Sequence, residues 1–234
     1  MKVELISYPD RLVDIIYTAC RTCYSKLSPI EIFKSANEKS IEDKLKLIQK
    51  VFDSEHFSTS EHSIFTFAIQ GISRSCLAQI SRHRLASFSV QSQRYVEIKE
   101  NLEDLIVLNT CGTPFDKMQL LSKYFVFKDE NELLSNNYLE ALISYLKLIK
   151  EGYPAEDARS VLPNATKTNM VLSCNLRELI HICKLRLCLK AQEEVRTMVQ
   201  YMKNEVCNRE PWLRRYLISN CNNCTDFRDC ERRK

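Results

Sequence analysis

Apolar and polar positions change period several times along the chain, and each period predicts an element. "KVELIS" alternates, as a strand with one face inward does. Pro9 and Asp10 then open "DRLVDIIYTACRTCYS", whose apolar residues recur at helical spacing. Over residues 38–52, Ile41, Leu45, Ile48 and Phe52 predict a second helix. "SIFTFAIQG" is β-branched and aromatic and closes on Gly71, so it reads as a strand. "SRSCLAQISRHR" reads as helical through Arg84. The serines and Val90 after it break the period, predicting a loop, with "RYVEI" as a short strand. Residues 129–150 predict a long amphipathic helix with Leu134, Tyr138, Leu142, Tyr145 and Ile149 on one face. "PAEDARSVLP" is a short helix started by Pro154 and closed near Pro163, and "TKTNMVLSCN" is a strand. Two long helices follow, 175–189 and 190–207, with continuity between them left open; Ala191, Val195, Met198, Met202 and Val206 line one face of the second. Helices and strands mix without regular alternation, so the predicted fold class is α+β: a single domain with a mixed or antiparallel sheet flanked by long helices.

Composition supports a folded enzyme-sized chain. The 234 residues are 44% hydrophobic and 27% charged, enough for a real core and unlike a disordered chain. The net charge of +4 is too mild for a general polyanion binder, so local clusters matter more than the total. No apolar run reaches the roughly 18 residues of a membrane span. The start, "MKVELISYPD", turns polar too early for a signal peptide. A cytoplasmic protein with its eleven cysteines mostly reduced is therefore expected. Only three glycines are present, Gly71, Gly112 and Gly152, so neither GxGxxG nor a Walker A loop can be written. Any nucleotide phosphate must be held by side-chain cations.

Two clusters offer such cations. Arg82-His83-Arg84 is followed by Ser87, Ser89, Gln91, Ser92, Gln93 and Arg94. Forked guanidinium donors match phosphate oxygens in pairs. The second cluster is "NLRELIHICKLR", carrying Asn175, Arg177, His181 and Arg186. Arg177 and His181, four apart, share a helix face. Arg177 and Arg186, nine apart, point to opposite sides at 3.6 residues per turn. Arg186 then sits among Ile182, Cys183 and Leu189, a costly place for a cation unless an anion meets it. Taken singly, each feature is better read as a solvated basic loop or a structural ion pair.

Together these segments resemble the flavin-dependent thymidylate synthases. The resemblance rests on Arg82-His83-Arg84, seven residues, then Ser92 and "QRY". It is supported in order by "ACRTCYS", "HFSTSEHSIFTF", "EDARSVLP", "NLRELIHICKLR" and "AQEEVR". Residues 100–135 and the tail carry no match. The resemblance implies methylation of dUMP at C5 to dTMP, with methylenetetrahydrofolate as carbon donor and FAD reduced by NADPH. It implies that Ser58, Arg82, His83, Arg84, Asn175, Arg177 and His181 contact FAD, as does position 90. It places dUMP against Gln79, Ile80, Ser81, Arg82, Val90, Gln91, Ser92, Gln93, Arg94, Arg159 and Arg186. Arg186 is the residue assigned to activating the pyrimidine, and His56 lies near flavin and folate. Many relatives have an acidic or amide side chain where Val90 stands, so only a backbone contact is expected there. Ser92 is expected to position ligand rather than attack it. No cysteine follows a proline, which argues against the cysteine-dependent thymidylate synthases. The family also implies a homotetramer with shared active sites, and neither nucleic acid nor membrane as partner. The rival reading is a basic nucleotide- or RNA-binding module without catalysis.

The synthase-like domain is expected over residues 1–219, with 220–234 a polar tail. Cys20-x2-Cys23 and Cys221-x2-Cys224-x5-Cys230, with Cys207, suggest thiolate ligands. Cys20 and Cys23 lie on a predicted helix, and the tail spacing is irregular, so free thiols and no metal are expected.

Overall fold

A computed structural model describes residues 1–127, 131–224 and 230. Its strands are β1 (Lys2–Ser7), β2 (Ile64–Ser73), β3 (Ala86–Val90) and β4 (Lys167–Asn175), in an antiparallel sheet of order β1-β2-β4-β3. Its helices are α1 (Leu12–Thr22), α2 (Pro29–Ser35), α3 (Ile41–Asp53), α4 (Arg74–Ile80), α5 (Leu102–Cys111), α6 (Pro114–Leu121), α7 (Glu132–Lys150), α8 (Ala155–Ala158), α9 (Leu176–Arg186) and α10 (Glu193–Arg209). The fold class is α+β. None of the described helices is long and apolar enough to cross a membrane.

The chain divides into two compact units, and each strand gives part of its length to each. The first unit comprises residues 1–2, 69–80 and 89–170. Here α7 buries Leu139, Leu142 and Tyr145 against Leu105 of α5 and Leu121 of α6. Asn131 caps α7 by accepting from Leu134 N at 3.0 Å. Gly152 ends it at φ 89°, a left-handed conformation that glycine adopts without strain, and Tyr153 N donates back to Leu148 O at 3.0 Å. A capping box of Thr113 and Asp116, with Pro114 between, starts α6. The stretch in which the sequence showed no resemblance is therefore regular helix over much of its length.

The second unit comprises residues 3–68, 81–88 and 171–234. Ile16 of α1 and Ile48 and Phe52 of α3 are fully buried, as the helical spacing requires. Lys44, also on α3, is buried; its ammonium bonds Asp14 Oδ1 at 2.7 Å and Ala36 O at 3.1 Å. On α10, Val195, Met198, Met202 and Val206 form the predicted buried face.

Three expectations need correction. The helix expected through Arg84 stops at Ile80. The expected loop after it contains β3, because Ala86, Phe88 and Val90 are half-buried while Ser87 and Ser89 are exposed, a period of two rather than a broken helix. "RYVEI" is turn and irregular chain, not strand. The last two long helices are separate. Arg196 Nη1 donates to Leu189 O and Ala191 O at 3.3 Å, so the joining segment has its carbonyls satisfied without continuing the helix. Helix α2 was not anticipated, although Ser28, Pro29 and Glu31 form its capping box.

Candidate active site

The second unit gathers one of the predicted clusters around α9. Strand β4 delivers Asn175, whose Oδ1 caps α9 by accepting from Glu178 N at 2.9 Å. Glu178, in the first turn, is 4% exposed, and His83 from the turn before β3 is 5% exposed. His83 Nδ1 lies 2.9 Å from Glu178 Oε1, and Arg186 Nε donates to His83 Nε2 at 3.0 Å. The His181 ring stands edge-on to His83, 5.7 Å between centroids. The predicted separation of His181 from Arg186 is thus bridged: both reach the same imidazole. Arg82 and Arg84 flank that buried ring and are themselves exposed. Arg177 is exposed and ion-pairs with Glu61. Ser58 and His56 are exposed, and Ser58 lines a 510 Å³ cavity with Ile15, Thr18, Cys23, Phe33 and His62.

Arginine has no acceptor, so Arg186 Nε–H can only donate, and His83 Nε2 must carry the lone pair. The imidazole proton then sits on Nδ1 and is donated to Glu178. Burial pushes the His83 pKa below its usual value. Glu178 opposes that push, and the Arg186 and His181 charges add to it. A neutral, tautomer-fixed His83 satisfies both contacts.

The first unit gathers the other residues. Gln79 and Ile80 end α4; Ile80 is fully buried, so only its backbone is available to a ligand. Ser81 belongs to the second unit and is exposed. Val90 is half-buried at the end of β3. Gln91 N donates to Asn169 O at 2.9 Å, and its Oε1 accepts from Asn169 Nδ2 at 2.8 Å. Ser92 Oγ accepts from Arg94 N at 3.2 Å. Arg94 Nε meets Glu156 Oε2 at 2.7 Å, while Arg159 Nε donates to Glu156 O at 3.1 Å. A 280 Å³ cavity is lined by Arg74, Gln93, Arg159, Asn164 and Thr166 among others. Two cations and two amides on so small a cavity suit a phosphate.

Residues 4–212 match the family described as thymidylate synthase complementing protein. The chain belongs to that family. It is 36% identical over 219 residues to a flavin-dependent thymidylate synthase of Haloarcula marismortui, covering 86% of this chain and 89% of that one. An enzyme of the same description from Clostridium tetani is 32% identical over 231 residues, covering 95% and 89%. Among solved structures, the flavin-dependent thymidylate synthase of Helicobacter pylori, complexed with FAD and dUMP, superposes with a TM-score of 0.75 at 26% identity. That alignment covers 93% of this chain and all of the other.

Sequence reasoning missed two residues of these clusters. Glu178 stands in the first turn of α9, where acids are common. Its signal was its place eight residues before Arg186, two turns and about 80° around the same helix. Arg74 was read only as part of a helix. Among the described residues, the group of potential metal ligands that comes together is His83, Glu178 and His181, within 4.8 Å of one another. Cys20 and Cys207 are buried and Cys23 is exposed. Burial pushes the Cys183 thiol up to about 12. Cys221, Cys224 and Cys230 are half-buried thiols, while most of the tail's other residues lie outside the described ones.

Proposed function

We propose that this protein reductively methylates dUMP at C5 to give dTMP, with FAD as cofactor. The observation that carries this reading is Arg186, the α9 cation whose Nε is held by a neutral imidazole. Such a contact orients the guanidinium without neutralising it. Placed beside the pyrimidine, Arg186 stabilises negative charge developing around N3 and O2, as an oxyanion-hole donor does.

The residues of the second unit fit FAD by the chemistry of their donors. Arg82, Arg84 and Arg177 are exposed guanidinium groups suited to a pyrophosphate, and Ser58 and His181 add exposed donors. Asn175 contributes through its helix cap, with its Oδ1 already accepting a bond. When bound, FAD supplies the hydride drawn from NADPH, and methylenetetrahydrofolate supplies the carbon. The dUMP phosphate falls to Arg159, Arg94, Gln93 and Ser92, joined by Arg74. Arg94 exchanges its Glu156 carboxylate for the ligand. Val90 contributes backbone only.

The assembly we infer is a homotetramer whose active sites are shared between subunits, so residues serving one nucleotide need not come from one chain. The synthase domain is assigned to residues 1–219 and the tail to 220–234. Every cysteine is free, which suits the reducing cytoplasm.

The direct test is retention of flavin. Protein incubated with FAD and desalted is expected to stay yellow at near one flavin per chain. A colourless protein that instead binds RNA, with affinity falling steeply as salt rises, would replace this reading with the basic-module one.

A further inference from the structure

The three groups that come close enough to hold a metal ion carry a different device. Both ring nitrogens of His83 are engaged, one by Glu178 and one by the Arg186 guanidinium. A divalent cation on His83 would have to displace a cation already there. What remains is a chain of two hydrogen bonds, carboxylate to imidazole to guanidinium. Its ends lie on one helix, about 12 Å apart along the axis. His83, arriving from the turn before β3, spans the gap.

We propose that Glu178 is a positioning residue: acting through His83, it fixes the orientation of Arg186. This rests on the assignment of Arg186 to the pyrimidine. A lone imidazole would orient it poorly, because either tautomer or the imidazolium would be open to it. The imidazolium and the Nε2–H tautomer both turn Nε2 into a donor and push Arg186 away. Glu178, accepting from Nδ1–H, excludes the Nε2–H tautomer, while burial and the Arg186 charge hold off the imidazolium, leaving the one form that accepts from Arg186. The helix start favours a carboxylate at this position, because Glu178 stands in the first turn of α9 where backbone N–H groups point outward. The histidine of the Arg82-His83-Arg84 motif is therefore spent on Arg186, while its two arginines remain exposed.

The test uses holoprotein carrying FAD, with the variants Glu178→Leu and Glu178→Gln. Leucine removes the acceptor; glutamine keeps an acceptor oxygen but not the charge. Glu178→Leu should lower kcat for tritium release from C5-labelled dUMP by roughly 10- to 100-fold, the usual cost of losing an orienting partner, with flavin content kept. Glu178→Gln should lose a smaller factor. Nitrogen NMR on histidine-labelled protein gives a readout that a merely structural role would not move. Wild type should show His83 protonated at Nδ1 and bare at Nε2; Glu178→Leu should show protonation at Nε2. Wild-type turnover in Glu178→Leu would overturn the proposal, as would equal loss in both variants or a protonated Nε2 in wild type. If Glu178→Leu does not fold, the wild-type tautomer and the Glu178→Gln factor decide. Were the protein to take up no flavin, the functional reading would fall while the tautomer measurement still judged the hydrogen-bonded chain.

Discussion

Replacing Arg186 by alanine should lower tritium release from C5-labelled dUMP by about a thousandfold, the scale for losing a preorganised donor to a developing anion. FAD should stay bound, since the exposed cations Arg82, Arg84 and Arg177 are untouched. The substitution takes away the cation and the donor to His83 Nε2 together. Arg177→Ala should fail in the other order: flavin retention weakens by about tenfold, the worth of one charge-assisted hydrogen bond, before turnover of the loaded enzyme changes. Flavin absorbance after desalting and tritium counting on the same samples separate the two. Loss of flavin in Arg186→Ala, or full turnover without Arg186, would show that the roles on α9 are misassigned.

Lys44→Met should destabilise the fold by about 3 kcal/mol, because removing one partner of a buried pair leaves the other desolvated. Methionine keeps most of the stem volume of lysine, so the loss reports the charge and hydrogen bonds rather than a cavity. Both side chains are shielded, at 8% exposure for Lys44 and 14% for Asp14. Burial alone would raise the Asp14 pKa, but hydrogen bonds and charge from Lys44 and Arg11 outweigh it and hold the carboxyl below its usual 3.8. The sign follows from linkage. A depressed folded-state pKa contributes stability that is fully present above 3.8 and is lost as pH falls through the folded value. The gap between wild type and Lys44→Met should therefore be widest at neutral pH and shrink in strong acid. Urea unfolding at both extremes measures it; a gap that widens in acid would mean Lys44 acts through packing rather than through Asp14.

Much of this fold was legible from period alone. The strands at Lys2–Ser7 and Lys167–Asn175, and the helices holding Ile48, Phe52 and Met198, have uniform spacing over enough residues to outweigh local noise. Reading failed where the period was short. β3 is five residues long, and its alternation of serines with Phe88 and Val90 looked like a disrupted helix after Arg84. The break between α9 and α10 carries no proline or glycine; a side chain, Arg196, satisfies the carbonyls there, which no local signal announces.

The site divides in the same way. Arg82, Arg84, Arg177 and Arg186 were visible as cations whose spacing had chemical meaning. Glu178 was not, because acids are common in a helix's first turn and its role depends on a histidine 95 residues away in sequence. His83 appeared as a third donor in a row of cations, yet its burial and two partners make it a neutral connector. Arg74 meets Arg159 at one cavity through the course of the backbone, which spacing does not reveal.

Thymidylate formation itself tests the central claim most directly. Wild-type protein supplied with dUMP, methylenetetrahydrofolate, NADPH and FAD is expected to produce dTMP, and to produce none when either FAD or NADPH is withheld. Flavin-loaded protein that leaves dUMP unchanged with every component present, or dTMP formed at the same rate without flavin, would contradict it.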